Sequence, residues 1–196
     1  VLINNAGAMF GSRQVTEDGL EKTFALNHMS YFTVTNILLD RLKATPGARI
    51  VSTASGAHAA YKLDFDDLQS EKSYSSFAVY GRSKLMNILF TRELARRLAG
   101  TGVTANCLHP GFVGSRFGDQ AGGFMAFAIK LAKNFALTPE QGAETIIYLA
   151  SSDDVAGKTG GYYEKKKIAT PSRAAQNDAD AKRLWDISTR IAGVGF

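Results

Sequence analysis

Three short apolar runs, each ending in small or polar residues, constrain this chain most. They are Val1–Asn4, Arg49–Thr53 (RIVST) and Val103–Leu108, and long stretches of helical periodicity separate them. A short run that is mostly apolar and does not alternate with polar residues reads as a strand buried on both faces, as parallel strands are. Parallel neighbours need crossovers, and helices supply them. The alternation therefore predicts an α/β fold with a parallel sheet.

The connecting segments carry their own punctuation. Thr16-Glu17-Asp18-Gly19 reads as a helix start, with acidic residues in the first turn. That helix is expected to run to about Lys43, bent or broken near Asn27-His28. Ser55–Ser76 is polar and irregular, with a short helix expected near Asp66–Glu71. Phe77–Leu98 is strongly amphipathic and stops near Gly100 and Gly102. An apolar helix is expected over Phe124–Phe135. Another begins at Thr138-Pro139-Glu140 and ends near Ser151, with Pro in its first turn. Gly160–Tyr163 reads as a short last strand, and Asp178–Ile191 as a final helix around Trp185.

Composition bounds the class. The chain has 196 residues, 45% of them hydrophobic, which suits one domain with a real core. Cys107 is the only cysteine, so no internal disulfide forms, and its apolar run marks it as a small buried hydrophobe. The tight basic run Lys165-Lys166-Lys167 has no interleaved aromatics and reads as a solvated loop, not a nucleic-acid site. No run is apolar for the roughly 20 residues of a membrane span.

Five places carry chemistry. Asn4-Asn5-Ala6-Gly7 lies at the carboxyl end of the first strand, where parallel sheets bind ligands, and its small residues admit a flat ligand. Asn27 sits inside a helix, where it competes for backbone hydrogen bonds and could free a carbonyl to hold a water. The neighbouring His28 reads as structural. Ser55 follows the RIVST strand and can hydrogen-bond a substrate oxygen; Ser52 competes for that role but falls within the strand.

Tyr80 and Lys84 are one helical turn apart, and the ammonium is expected to favour the phenolate. The phenol then exchanges a proton with an alcohol or carbonyl, and Lys84 has donors to spare for ribose hydroxyls. Ser83 reads as incidental. His109-Pro110-Gly111-Phe112-Val113-Gly114-Ser115 forms a rigid turn at a further strand end, suited to gripping a planar carboxamide.

Taken in order, Asn5-Ala6-Gly7, Asn27, Ser55, Tyr80-Lys84 and Pro110-Gly111 with Val113 and Ser115 resemble the short-chain dehydrogenase/reductase family. The resemblance covers nearly the whole chain. It implies a Rossmann-type doubly wound parallel sheet in a single domain, residues 1–196, and an NAD or NADP cofactor. It implies an Asn27-Ser55-Tyr80-Lys84 relay, with Tyr80 as acid/base, Ser55 orienting the carbonyl, Lys84 lowering the Tyr80 pKa, and Asn27 holding the relay water. Asn5, Ala6, Gly7, Tyr80, Lys84, Pro110, Gly111, Val113 and Ser115 would hold the dinucleotide. No metal is assigned.

Leu68-Gln69-Ser70-Glu71-Lys72, Ser83–Phe90, Glu93–Leu98 and Arg183-Leu184-Trp185 are similar to the retinol-dehydrogenase branch, which favours NADP over NAD. The separation of 25 residues between Ser55 and Tyr80 fits the insertion of that branch. Its substrates suggest a lipophilic alcohol or carbonyl such as a retinoid, steroid or aldehyde, with Phe112, Phe117, Phe124, Met125 and Phe127 as pocket wall or as plain core. The resemblance implies a homodimer or homotetramer and leaves an upstream membrane anchor open, while the single cysteine suits a reducing, cytoplasmic compartment.

The family's Gly-rich phosphate loop is missing from this sequence. The chain opens at Val1 in a strand pattern, so roughly 70–80 further residues are expected upstream, at about 30 per βαβ unit. The 196 residues then amount to the C-terminal two-thirds of the domain and a poor enzyme alone. A redox-inactive dinucleotide-binding regulator and a sugar-nucleotide epimerase are the competing readings.

Overall fold

A computed structural model describes residues 1–113 and 136–194. Its centre is a five-stranded sheet in sequential order: β1 (Leu2–Asn4), β2 (Arg49–Thr53), β3 (Thr104–His109), β4 (Tyr162–Glu164) and β5 (Lys167–Ala169). The first four strands are mutually parallel, and β5 returns antiparallel. Successive side chains leave opposite faces of a strand. Ile50 accordingly enters the larger core, with Ala105, Cys107 and Tyr162. Val51 enters the smaller core on the other face, with Leu108 and Tyr163.

Helices cover both faces, as the apolar strands require. On one side lie α2 (Ser30–Ile37) and α4 (Ser76–Arg97), with α6 (Asp178–Ala192) packed against α4. On the other lies α5 (Pro139–Ser151), which packs on β2. Trp185 stacks on Phe90 at 5.8 Å and meets Phe32 edge-on at 4.9 Å, while the Arg97 guanidinium covers it at 4.5 Å. Aromatic contacts of this kind are worth about 0.5–1.5 kcal/mol each beyond area burial. They dock α6 onto the helix that carries Tyr80.

The expected helix start at Thr16 is corrected. Gly19 has φ +76°, outside the range of a continuing helix, and Thr16–Leu20 closes into a turn instead. The helix starts at α1 (Lys22–Phe24), where the buried Glu21 carboxylate accepts from the Thr23 and Phe24 amides at 2.9 and 2.7 Å. The expected break at Asn27-His28 is a π-turn over Ala25–Met29. A second break at Leu38 leads into α3 (Leu39–Lys43).

Three further expectations change. Residues 66–71 form turns, not a helix, with Ser70 at φ +54°. A 3₁₀ helix over Gly56–Ala60, just after Ser55, takes the regular structure in that connection. The strand at Gly160–Tyr163 is not the last, because β5 pairs with it through a tight turn at Lys165 and Lys166, both at positive φ. The expected helix over Phe124–Phe135 lies outside the described residues. Among those described, no helix is long and apolar enough to cross a membrane.

Candidate active site

The carboxyl ends of β1, β2 and β3 place Asn5-Ala6-Gly7, Ser55 and Pro110-Gly111 along one edge of the sheet, and α4 brings Tyr80 and Lys84 to the same edge. The π-turn supplies the first link. An extra residue in the turn carries the Asn27 side chain toward α4 and the first loop. Asn27 is fully buried. Its Nδ2 donates to Ala8 O and to Ser83 Oγ, both at 2.9 Å, and its Oδ1 accepts from the Ala8 amide at 2.9 Å. A Cβ on Gly7 would lie 3.2 Å from both Asn27 Oδ1 and Lys84 Nζ, so the loop backbone rests directly on these two residues.

Ser83 is not incidental. Its hydroxyl accepts from Asn27 and donates to Tyr80 O at 2.7 Å, joining the π-turn to the second turn of α4. Thr53, at the end of β2, is a second residue that sequence reasoning missed. Its hydroxyl donates to Asn5 Oδ1 at 2.8 Å, and its carbonyl accepts from Lys84 Nζ and Asn87 Nδ2, each at 3.1 Å. A backbone carbonyl leaves no trace in residue type. The i, i+4, i+7, i+11 spacing of Tyr80, Lys84, Asn87 and Thr91 was the one signal available for Asn87.

Ser55 caps the 3₁₀ helix, its Oγ accepting from the Ala57 amide at 3.2 Å. It also hydrogen-bonds the Tyr80 phenol. Ser52 is excluded from the exposed edge, because it is buried beside Asn4 within β2. Gly81 makes the Ser55–Tyr80 approach feasible. A Cβ there would collide with the Tyr61 ring and come within 3.0 Å of Ala57 O, so only glycine lets the 3₁₀ segment lie against α4.

The electrostatics depart from expectation at Tyr80. Burial pushes its pKa up to about 12, with the Ser55 hydrogen bond opposing. Lys84, 3% exposed, is itself pushed down to about 8 by burial. Its Nζ lies 5.6 Å from the Tyr80 ring centroid and donates to Thr53 O. Desolvation therefore outweighs the expected lowering of Tyr80 by Lys84, and both side chains are biased toward their neutral forms. Lys84 Nζ also lies 5.9 Å from the ring of Tyr31, a buried phenol whose hydroxyl has no hydrogen-bond partner among the described residues.

At the third edge position Gly111 has φ +89° and faces Leu137, whose side chain would lie 2.6 Å from an added Cβ. Leu137 donates its amide to Phe112 O at 2.8 Å, and Val113 pairs with Leu137. Ser115, Phe117, Phe124, Met125 and Phe127 lie outside the described residues. His28 is structural, as expected: it is enclosed by Phe24, Phe32 and Phe90 and bonds Ser188 Oγ at 2.8 Å. Cys107 is buried, which pushes its thiol up to about 12.

This edge now has company among known proteins. The family model described as short chain dehydrogenase matches residues 1–122. The chain belongs to the short-chain dehydrogenase family. Within it, the chain is 45% identical to retinol dehydrogenase 14 of Homo sapiens, covering 99% of this chain and 59% of that protein. It is 42% identical to retinol dehydrogenase 12 of Mus musculus, covering 99% of this chain and 61% of that protein. It thus spans about three-fifths of the length of these retinol-dehydrogenase relatives.

Solved structures agree on the fold. One, of an uncharacterized protein from Mycobacterium Paratuberculosis, superposes with a TM-score of 0.77 at 30% identity, covering 100% of this chain and 67% of that one. Another, from Beutenbergia cavernae, was assigned as an NAD(P) dependent gluconate 5-dehydrogenase and solved with NADP bound at low occupancy. It is 26% identical with a TM-score of 0.59, covering 82% of this chain and 62% of that one. The short-chain dehydrogenase fold is therefore the framework for the edge just described.

Proposed function

We propose that this chain carries the catalytic part of an NAD(P)-dependent oxidoreductase that interconverts an alcohol and a carbonyl. One observation carries the reading: the Tyr80 phenol meets Ser55 at the sheet edge, with Lys84 Nζ 5.6 Å from its ring. A neutral phenol and a serine hydroxyl are two donors side by side, the arrangement that receives a carbonyl oxygen.

The residues present fit a dinucleotide. Asn5, Ala6 and Gly7 are exposed, and the Gly7 backbone lies where a Cβ would crowd Lys84 Nζ. Lys84 spends one donor on Thr53 O and keeps others for ribose hydroxyls. Tyr80 and Lys84 would hold the ribose. Asn5, Ala6 and Gly7 would underlie it, and Pro110, Gly111, Val113 and Ser115 would take the carboxamide end. When bound, the nicotinamide supplies or accepts the hydride.

The chain's own residues then handle the proton. Ser55 orients the substrate oxygen, and Tyr80 Oη gives its proton to the oxygen of a carbonyl, or takes one from an alcohol. The high Tyr80 pKa keeps it protonated at neutral pH, the state from which a carbonyl is protonated. Asn27 fixes the loop above Lys84 and would hold the water that reprotonates the relay. The resemblance to the retinol-dehydrogenase branch favours NADP over NAD, and the retinol in the relatives' names favours a lipophilic substrate.

The test is turnover of retinaldehyde with NADPH by the natural full-length protein and by its Tyr80→Phe and Ser55→Ala variants. Loss in both with dinucleotide binding retained supports the reading. Activity of Tyr80→Phe within about tenfold of the parent overturns it, since acid–base catalysis contributes about 10²–10⁴-fold.

A further inference from the structure

Ser55 is held from behind by an imidazole. His58 Nδ1 lies 2.7 Å from Ser55 O, and the His58 amide donates to the same carbonyl at 3.2 Å. On the far side of the ring, the Ser172 amide donates to His58 Nε2 at 3.1 Å. An amide N–H is only a donor, so Nε2 must offer its lone pair. The proton then sits on Nδ1 and is donated to Ser55 O. The two backbone contacts fix one neutral tautomer.

The setting keeps it so. His58 is 3% exposed and meets the Tyr162 ring edge-on at 5.3 Å. Burial lowers its pKa; the Ser55 carbonyl and the charge of Glu164 oppose this. Glu164 itself accepts from the Tyr162 hydroxyl at 2.9 Å. His109, a further titratable group on this side, faces Gly56 one residue beyond Ser55, with its Nε2 3.3 Å from where a Cβ would be.

We propose that His58 is a positioning residue: its neutral, Nδ1-protonated ring spans from Ser172 N–H to Ser55 O and thereby sets the Ser55 hydroxyl against Tyr80. The proposal rests on the reading of Ser55 and Tyr80 given above. Ser55 Oγ already accepts from the Ala57 amide, which leaves its proton turned to the Tyr80 hydroxyl, the side from which a substrate oxygen would take it. Rotation of the Ser55 backbone would misaim that proton while leaving the fold in place. The inference also gives the 3₁₀ helix a purpose, since three residues of it carry Ser55 to its own support.

Two isosteres separate this role from packing. The amide nitrogen of asparagine falls near the position of Nδ1, and that of glutamine near Nε2. In the full-length protein, with retinaldehyde and NADPH as probes, His58→Asn should keep kcat within about threefold. His58→Gln should lower kcat by about tenfold or more, with NADPH affinity within about twofold. His58→Gln that retains kcat within about threefold overturns the proposal, as does an equal fall in both variants.

Nitrogen NMR of the unmodified protein tests the same point without substitution. A neutral ring protonated at Nδ1 at pH 7 is expected; protonation at Nε2, or a charged ring, overturns it. Tyr80→Phe in the same assay keeps the two claims apart. If it stays active, the oxidoreductase reading fails. If it is inactive while His58→Gln is active, only the role of His58 fails.

Discussion

Lys84 and Asn87 donate to one carbonyl, that of Thr53, each at 3.1 Å. The last residue of β2 is thereby pinned to two positions of α4, and its hydroxyl holds Asn5. The same contact anchors a cation in a place that disfavours charge. Burial holds Lys84 near 8, against an ordinary 10.5.

A pKa lowered in the folded state costs stability wherever the unfolded chain would hold the extra proton. For Lys84 the penalty is full below pH 8 and fades as pH rises toward 10.5. Lys84→Met should therefore raise the stability of the protein at pH 7, by at most about 3 kcal/mol, and lose that gain near pH 10. Turnover should fall in the same variant, and dinucleotide affinity should weaken. Denaturant titrations at both pH values, paired with kinetics, check it; a variant that is less stable at pH 7 would contradict the desolvation account.

Tyr80→Phe deletes only a hydroxyl. Its expected effect is a fall of about 10²–10⁴-fold in kcat while dinucleotide binding survives through Lys84, measured by steady-state kinetics and fluorescence titration.

Gly81→Ala should act at a distance of one residue from Tyr80, the proposed proton donor. The new Cβ would meet the Tyr61 ring and Ala57 O, pushing the 3₁₀ helix and Ser55 away from α4. A loss of about tenfold in kcat is expected, since small misplacements at a reacting centre cost that much and more. Because part of the clash is with Tyr61, Gly81→Ala combined with Tyr61→Ala should recover some of the loss. Full activity of the single variant would show that the segment moves freely.

His28 sets an acid limit. It is buried among aromatics and held near 3, below its ordinary 6.5. The unfolded chain takes up a proton between those values that the folded one refuses, so stability should drain as pH falls from 6.5 to 3. The full loss is on the order of 5 kcal/mol. Replacing His28 by Phe and Ser188 by Ala together should flatten that limb of a pH–stability curve measured by urea unfolding.

The legible parts of the fold were those that repeat a physical constraint over several residues. β2 matches its expected bounds because RIVST is buried at four of five positions. α5 was legible from its Thr138 cap, confirmed as a capping box with Gln141. Tyr80 and Lys84 could be read because one turn of helix separates them. The 3₁₀ helix at Gly56–Ala60 and the hairpin at Lys165-Lys166 were not, since short elements carry no period and the latter puts two lysines at positive φ.

Within the candidate site, the failures share one cause. Thr53 acts through its carbonyl, Gly81 through what it lacks, Ser83 through the distant Asn27 side chain, and His58 through a backbone amide far along the chain. None of these roles is written in a residue's type or spacing. The strength of desolvation at Tyr80 also depended on burial, which only the folded packing reveals.

The π-turn at Ala25–Met29 is, in counting terms, one surplus residue in a helix of 3.6 per turn. Removing a residue there would restore the regular winding and swing everything on its amino side by about 100°, a quarter-turn and more. Asn27 would leave Ser83 and Ala8, and the loop over Lys84 would lose its clip. A point substitution trims one contact, whereas a single-codon deletion in this stretch would re-phase the whole approach to the site. The chain thus keeps its site geometry as an offset in numbering, which tolerates changes of residue far better than changes of length.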